Sequence, residues 1–490
     1  MCLLNIFALR VRQRRENVGT SLETLSCPIK FQRKYSYTYG YKKADRTMNW
    51  AIQEMKGADI GHERYRNNAM QILYSMGQNS GLSFSSALGE RLRKSAHRLF
   101  SQQEIDLQQG HREQSVLRCA GHDWVLALED TTDLNYQDHP SKQGMGQLGG
   151  MYDYRGISIH SALLVSPQGE PLGVLGQHIW APSSSGREKR VRDYKIEEKE
   201  SYKWLLLLKQ IEASFHSTKH TVVIVADRES DFYEHLAHDR SAQIGFVIRG
   251  RSMIRNIWFG NKATKVQDLP AELEPQGIVE VPLTKQKNRE ARIAKLQIRY
   301  GVFTYPPPSH HQGKSIALTL VHAREIDGPD EPIEWYLFTS FAVNSFEDAR
   351  LVLDIYTKRW MIERFHYILK TGLRVEKLQI DHFNRLTNAL KMYAIVAWRI
   401  LHLNYVAKAS PQRKAGEVFE HLHIQILQAM THKQIKTVVD FVVALGSLAG
   451  FKPTKKQPLA GEKLLWQAWS ILQNVQWGWA LAKDKFNGTG

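Results

Sequence analysis

The run YTKRWMIERFHYILK, residues 356–370, constrains this chain more than any other segment. An α-helix turns about 100° per residue. Counting from Tyr356, Arg359 falls near about −60°, Glu363 near about −20° and Lys370 near about −40°. One narrow stripe therefore carries a phenol, two cations and a carboxylate. Met361, Ile362, Phe365, Ile368 and Leu369 gather on the opposite side. Such a helix buries its apolar side and presents the polar stripe. A solvated helix face shows the same pattern, so the meaning of the stripe depends on what the rest of the chain brings to it.

Two upstream segments supply partners. The run DWVLALED alternates with period two and reads as a strand ending at Asp130, followed by Thr131 and Thr132. The β-branched run HTVVIVAD reads as a buried strand ending at Asp227, followed by Arg228 and Glu229. Ligands of open α/β sheets bind beyond strand ends. A lone Asp in such a place is more often a turn former or a helix N-cap. Two of them together with a Glu-bearing helix and flanking cations form a rarer pattern. Carboxylates from separate elements that converge suit a hard divalent cation, and a two-metal phosphoryl-transfer site needs such convergence.

Composition narrows the class of partner. The chain has 490 residues, with 66 Lys plus Arg against 49 Asp plus Glu, a net charge of +17. That balance favours a polyanion, either nucleic acid or an acidic membrane surface. No apolar run reaches the length of a bilayer span. Cys2, Cys27 and Cys119 form no CxxC pair, which points away from a disulfide scaffold or a zinc site and toward the cytoplasm. In the opening MCLLNIFALRVRQRR the positive charges follow the apolar stretch and no small-residue cleavage site appears, so a signal peptide is not expected. Residues 1–47 are basic and unpatterned, a leader expected to be disordered or an upstream extension of the reading frame.

Residues 48–118 read as short helices decorated with Arg64, Arg66, Arg91, Arg93, Lys94 and Arg98. Such helices suit DNA-groove docking, or serve as a plain helical cap. Strands are expected at 123–129, 154–165 and 170–180, a helix at 199–215, a strand at 220–226, a helix at 229–239 and a strand at 243–249. This is the order of a ribonuclease-H-like fold. A long segment then intervenes, with strand-like runs such as ARIAKLQIRYGVFTY and SIALTLVHA, and reads as a β-rich insertion. Its run KQKNREAR holds Lys285, Lys287, Arg289 and Arg292, a phosphate patch or a solvated surface. Near the C-terminus Leu465, Leu472 and Trp479 recur seven apart, suiting a dimer seam or packing on their own domain.

The ordered set resembles the DDE transposases of the insertion-sequence-four family, in the branch of the Tn-five composite transposon. That family carries a Tyr-(2)-Arg-(3)-Glu-(6)-Lys signature, which Tyr356, Arg359, Glu363 and Lys370 fit without a gap. Glu129-Asp130-Thr131-Thr132 and Asp227-Arg228-Glu229-Ser230-Asp231 match the contexts of its two catalytic Asp residues. Lys199-Glu200-Ser201 with Lys203-Trp204, and the strand FVIRG with Arg249, match further. The segment IEWYLFTS sets Trp335 where the family holds a base-stacking tryptophan. The resemblance runs from about residue 48 to the C-terminus.

It implies an α/β fold with a ribonuclease-H-like catalytic core at 119–375, including the β-rich insertion at about 251–334. A helical DNA-end-binding domain at 48–118 and a helical C-terminal dimerisation domain at 376–490 would flank it. Asp130, Asp227 and Glu363 would be catalytic and hold two Mg²⁺ ions, with Mn²⁺ an alternative. Arg249, Trp335, Tyr356, Arg359 and Lys370 would contact DNA. The implied partners are double-stranded transposon ends, target DNA and a second copy of the chain, in the cytoplasm at the nucleoid, with no membrane. The implied chemistry is cut-and-paste: water cuts one strand, the freed 3′ hydroxyl forms a hairpin, water reopens it, and the 3′ hydroxyl attacks target DNA. Two rivals remain, a nuclease without strand transfer and an inactive or inhibitory DNA-binding derivative.

Overall fold

The structure, a computed structural model, describes residues 49–478 except 81, 150–153, 183–193, 284–290, 310, 329–331, 456, 462, 463, 466, 470 and 477. The leader 1–47 and Lys285, Lys287, Arg289 and Trp479 lie outside the described residues. Four helices open the chain: α1 (Asn49–Met55), α2 (Glu63–Gln78), α3 (Phe84–Phe100) and α4 (Gln109–Leu117). Ser83 caps α3 by accepting from the Ser86 amide. Gly89 kinks this helix at φ 62°, ψ 177°, a conformation that only glycine adopts readily. The basic residues expected to dock on DNA are divided by this packing. Arg64, Arg91, Lys94 and Arg98 line a cleft of about 970 Å³ between α2 and α3. Arg66 instead hydrogen-bonds the Ala58 carbonyl.

A mixed sheet follows, twelve strands among the described residues. Its first part contains β1 (Trp124–Asn135), β2 (Gly146–Leu148), β3 (Tyr154–Val165), β4 (Pro171–Trp180), β5 (Thr221–Ala226) and β6 (Ile244–Arg249). β3 lies between β4 and β1 and pairs antiparallel with both, while β1, β5 and β6 run parallel. α5 (Tyr202–Phe215) crosses between β4 and β5. The helix expected at 229–239 shrinks to a 3₁₀ turn at Arg228–Ser230 and a single turn, α6 (Tyr233–Leu236). Phe232 is extended between them, and Arg240 ties off the end by donating to the Leu236 and His238 carbonyls.

The β-rich insertion does not stand apart from the core. β7 (Asn256–Phe259), β8 (Lys262–Lys265), β9 (Gly277–Leu283), β10 (Arg292–Tyr305) and β11 (Ile316–Ile326) are followed by β12 (Glu334–Thr339). β12 pairs antiparallel with β6, Leu337 opposite Arg249 and Thr339 opposite Val247. The inserted strands thus extend the same sheet and cover the β6 edge, whose backbone groups would otherwise be unpaired. Arg292, expected in a phosphate patch, pairs with Glu325 at 2.9 Å.

Alternation along β1 divides the interior. Leu126, Leu128 and Leu134 join one apolar cluster with the later helices, and Val125 and Ala127 join another under α5. α7 (Phe346–Thr357), α8 (Trp360–Tyr367) and α9 (Phe383–Ala409) cover the first face. α10 (His421–Thr431) and α11 (Val438–Leu448) form a third cluster toward the C-terminus. Leu472 is fully buried in that cluster and Leu465 packs against it. Leu472 therefore serves packing within one chain and is not free for a dimer seam, whereas Leu465 stays partly exposed. No described helix is long and apolar enough to cross a membrane.

Candidate active site

The segment from Tyr356 to Lys370 is not one regular helix. α7 begins with a capping box: Ser345 Oγ accepts from the Asp348 amide and Asp348 Oδ2 accepts from the Ser345 amide. At its far end the backbone tightens to i→i−3 bonds, Arg359 N to Tyr356 O and Ile362 N to Arg359 O. Ile368–Gly372 then form a π-helical stretch. A 3₁₀ turn advances about 120° per residue and a π turn less than an α turn, so the uniform stripe breaks up. Tyr356 is buried, whereas Arg359 and Glu363 stay partly exposed. The apolar side holds as expected, with Ile362, Phe365, Ile368 and Leu369 buried.

Asp130 lies within β1, which continues to Asn135, and not at a strand end. Asp227 directly follows β5, the parallel neighbour of β1, as expected. Its Oδ1 accepts from the Glu229 amide at 2.9 Å, so it also performs the ordinary capping role of such a residue. Glu363 reaches the same region from α8. Arg359 ties the group together: it hydrogen-bonds Glu363 Oε1 through Nη2, and its Nη1 lies 3.8 Å from Asp130 Oδ2.

The charges act on one another. Burial pushes the Asp130 carboxyl up to about 7; Arg359 opposes this, while Asp227 and Glu363 add to it. Burial also raises Asp227. Burial works against the Arg359 charge, but Tyr356, Asp130 and Glu363 hold its pKa above the ordinary value. Sequence reasoning passed over His366, whose Nδ1 lies 3.8 Å from Asp130 Oδ2. Burial, Lys370 and Arg359 bring that imidazole down to about 3, so it faces Asp130 as a neutral ring. Its position three residues after Glu363 was the available signal.

Lys370 donates to the Asp133 carbonyl at 2.7 Å. Trp335 packs edge-on against Tyr356, with ring centroids 5.4 Å apart. Arg249 donates to the Glu334 carbonyl. Burial lowers its pKa, and the Tyr356 side chain, a hydrogen-bond partner, counters that. Trp335 and Arg249 line a cleft of about 400 Å³ together with Arg228, Arg251 and Tyr336. Arg228 stood in the sequence only as part of the Asp227 motif and Arg251 was unmarked, because the β6–β12 pairing is what sets Trp335 beside Arg249 at the end of β6.

The donor set is three carboxylates, hard oxygen ligands suited to Mg²⁺ or Mn²⁺. Among the described residues no group of three His, Cys, Asp or Glu side chains is gathered closely enough to hold a metal ion. Here the Arg359 guanidinium lies between Asp130 and Glu363. Burial is the main reason the Asp130 carboxyl is raised, and the like charges of Asp227 and Glu363 add to it against Arg359. In kind, the residues fit a divalent cation.

A piggyBac transposase synaptic complex with hairpin DNA aligns over 88% of this chain and 78% of its own, at 10% identity and a TM-score of 0.31, too low to bear on the fold. Residues 195–399 match the family described as Transposase DDE domain. That stretch contains Asp227, Arg249, Trp335, Tyr356, Arg359, Glu363 and Lys370, with Asp130 upstream of it. Over residues 195–399 the chain is similar to a DDE transposase domain.

Proposed function

We propose that the chain is a cut-and-paste DNA transposase of the insertion-sequence-four type, with a ribonuclease-H-like core. The observation that carries this reading is that Asp130 and Glu363, from a strand and a helix, both reach Arg359, while Asp227, from the neighbouring strand, acts electrostatically on Asp130. These carboxylates would hold a pair of Mg²⁺ or Mn²⁺ ions. Bound divalent ions supply Lewis-acid stabilisation of the attacking and leaving oxygens of a phosphodiester. Arg359 is the group that exchanges partners, leaving Glu363 for a DNA phosphate by charge-assisted hydrogen bonds. Tyr356 and Lys370 hold flanking phosphates. Neutral His366 keeps apolar bulk and a ring nitrogen against Asp130 and adds no competing cation.

In this reading water cuts one strand at the transposon end. The freed 3′ hydroxyl then attacks the opposite strand, water opens the hairpin, and the same hydroxyl attacks target DNA. A hairpin bends the strand sharply, and flipping a base out relieves the crowding at a cost of about a few kcal/mol. Stacking on an aromatic ring returns about 1–3 kcal/mol. The cleft beside Trp335, with Arg228, Arg249 and Arg251 on its walls, offers a stacking surface and phosphate donors together. The basic cleft between α2 and α3 is the proposed seat of the transposon end. Two copies of the chain would hold two ends, through contacts other than Leu472.

A second reading keeps DNA binding without catalysis. It is favoured by the Arg359 guanidinium standing between Asp130 and Glu363. One experiment separates the readings: incubate the protein with labelled end DNA, a target plasmid and Mg²⁺. Hairpins and end-to-plasmid joints are expected. Cut ends without joints would make it a nuclease, and binding without cutting an inactive derivative.

A further inference from the structure

The sheet face opposite Asp130 holds polar side chains that this site does not use. Side chains alternate along a strand, so Glu129 and Thr131 project away from the Asp130 carboxylate, toward α5. Glu129 is fully buried and neither carboxyl oxygen has a hydrogen-bond partner. His160, opposite Thr131 on β3, is also fully buried. Its Nδ1 lies 3.1 Å from Thr131 Oγ1, and its ring also hydrogen-bonds the backbone of Asp130. Its Nε2, unpartnered, lies 3.9 Å from Glu129 Oε2. Trp204 closes the group edge-on, 4.2 Å from the His160 ring.

The surroundings are apolar: Val125, Ala127, Ala162 and Leu164 belong to the same cluster. Each buried polar group left without a partner costs about 1–3 kcal/mol. An apolar pair of similar volume would fill the space without that cost. Packing therefore does not explain an acid and an imidazole here. Their contacts do, because both residues that His160 touches on β1, Asp130 and Thr131, flank the peptide from which the Asp130 side chain departs.

We propose that His160, backed by Glu129, is a positioning residue for Asp130, fixing the β1 backbone from the face opposite the carboxylate. The direction of a carboxylate on a strand follows the rotation of its peptide planes. A ring held through Nδ1 by the Asp130 backbone and the Thr131 hydroxyl steadies that direction while DNA and cations exchange on the other face. This rests on the reading of Asp130 as a cation ligand. Groups that orient a ligand in this way are worth about 10–100-fold in metal affinity or activity.

The test uses Mn²⁺ binding by the DNA-free protein, followed by electron paramagnetic resonance, beside cleavage of labelled ends. His160→Leu keeps the volume and removes both ring nitrogens, whereas His160→Asn keeps a donor near the Nδ1 position. His160→Leu should bind Mn²⁺ and cleave about 10-fold more weakly, with unchanged end binding and near-ultraviolet circular dichroism. His160→Asn should recover most of both. Wild-type Mn²⁺ affinity and cleavage in His160→Leu would overturn the positioning role, as would equal losses in the two variants. If His160→Leu does not fold, Glu129→Met carries the test: a severalfold loss of Mn²⁺ affinity in a folded protein supports the role and no loss overturns it. Asp130→Asn is the control for the underlying reading. If it binds Mn²⁺ and cleaves like wild type, that reading fails, whereas its inactivity beside a normal His160→Leu defeats only the positioning role.

Discussion

Asp130 and Glu129 are adjacent carboxylates on one strand and meet opposite surroundings. Asp130 faces Arg359, His366 and, through the sheet and α8, Asp227 and Glu363, on a side that opens to solvent. Glu129 faces His160 and the closed cluster under α5, where burial, opposed by Arg240, pushes its carboxyl up to about 8. Both are raised, but for Asp130 like charges contribute, while for Glu129 burial is the sole raising cause. Crowded like charge on an open face invites an external cation. A lone acid in a dry interior instead favours the neutral form and a fixed geometry. In the proposed reading the same strand divides labour between a face that exchanges ligands and a face that stays still.

The sharpest way to break this contrast is to remove charge from the open face. Asp130→Asn, Asp227→Asn and Glu363→Gln should each lower end cleavage by about 10³-fold or more, since several kcal/mol of transition-state stabilisation depends on the bound cations. End binding should stay near wild type in gel-shift assays on the same preparations. Cleavage within tenfold of wild type in any of the three would remove that residue from the site.

Arg359→Ala should follow with a loss of about 10–100-fold in cleavage, the worth of one charge-assisted phosphate contact. Single-turnover kinetics on a nicked end would measure it. A faster variant would mean that Arg359 restrains the carboxylates instead of serving the phosphate.

The closed regions should reveal themselves through acid sensitivity. Burial lowers His402 and His423 to about 4, below the unfolded value of about 6.5. A histidine whose folded pKa is depressed contributes stability that is present above the unfolded pKa. That contribution is lost as pH falls from about 6.5 to about 4, at roughly 1.4 kcal/mol per pH unit for each residue. The melting temperature of the DNA-free protein should therefore drop across this window. His423→Gln should flatten the slope, and an unchanged slope would place the acid-sensitive region elsewhere.

The smallest effect is expected beside the open face. Trp335→Ala should slow hairpin formation about tenfold, from the loss of one stacking contact, and leave the first nick within about twofold. Gel-resolved kinetics on labelled ends would separate the steps. Equal slowing of both would return Trp335 to its packing on Tyr356.

Local pattern determined much of this protein. Alternation and β-branching placed β3, β4, β5 and β6 within a residue or two, because each strand buries both faces and reads as an apolar run. The motif contexts of Asp130 and Glu363 marked two carboxylates that the fold brings to Arg359. Only the tertiary structure decided the rest. That β1 runs on past Asp130 depends on β3, whose pairing with it extends to Asn135. That the inserted strands extend the central sheet depends on β12 finding the edge of β6. The broken helix at Arg359 and the inward turn of Leu472 follow from what packs beside them. The His160 contact with β1 joins residues from two strands, and in sequence His160 is only a polar residue within ISIHSALLV. Periodicity records which side of an element is buried, but carries no information about which distant element buries it.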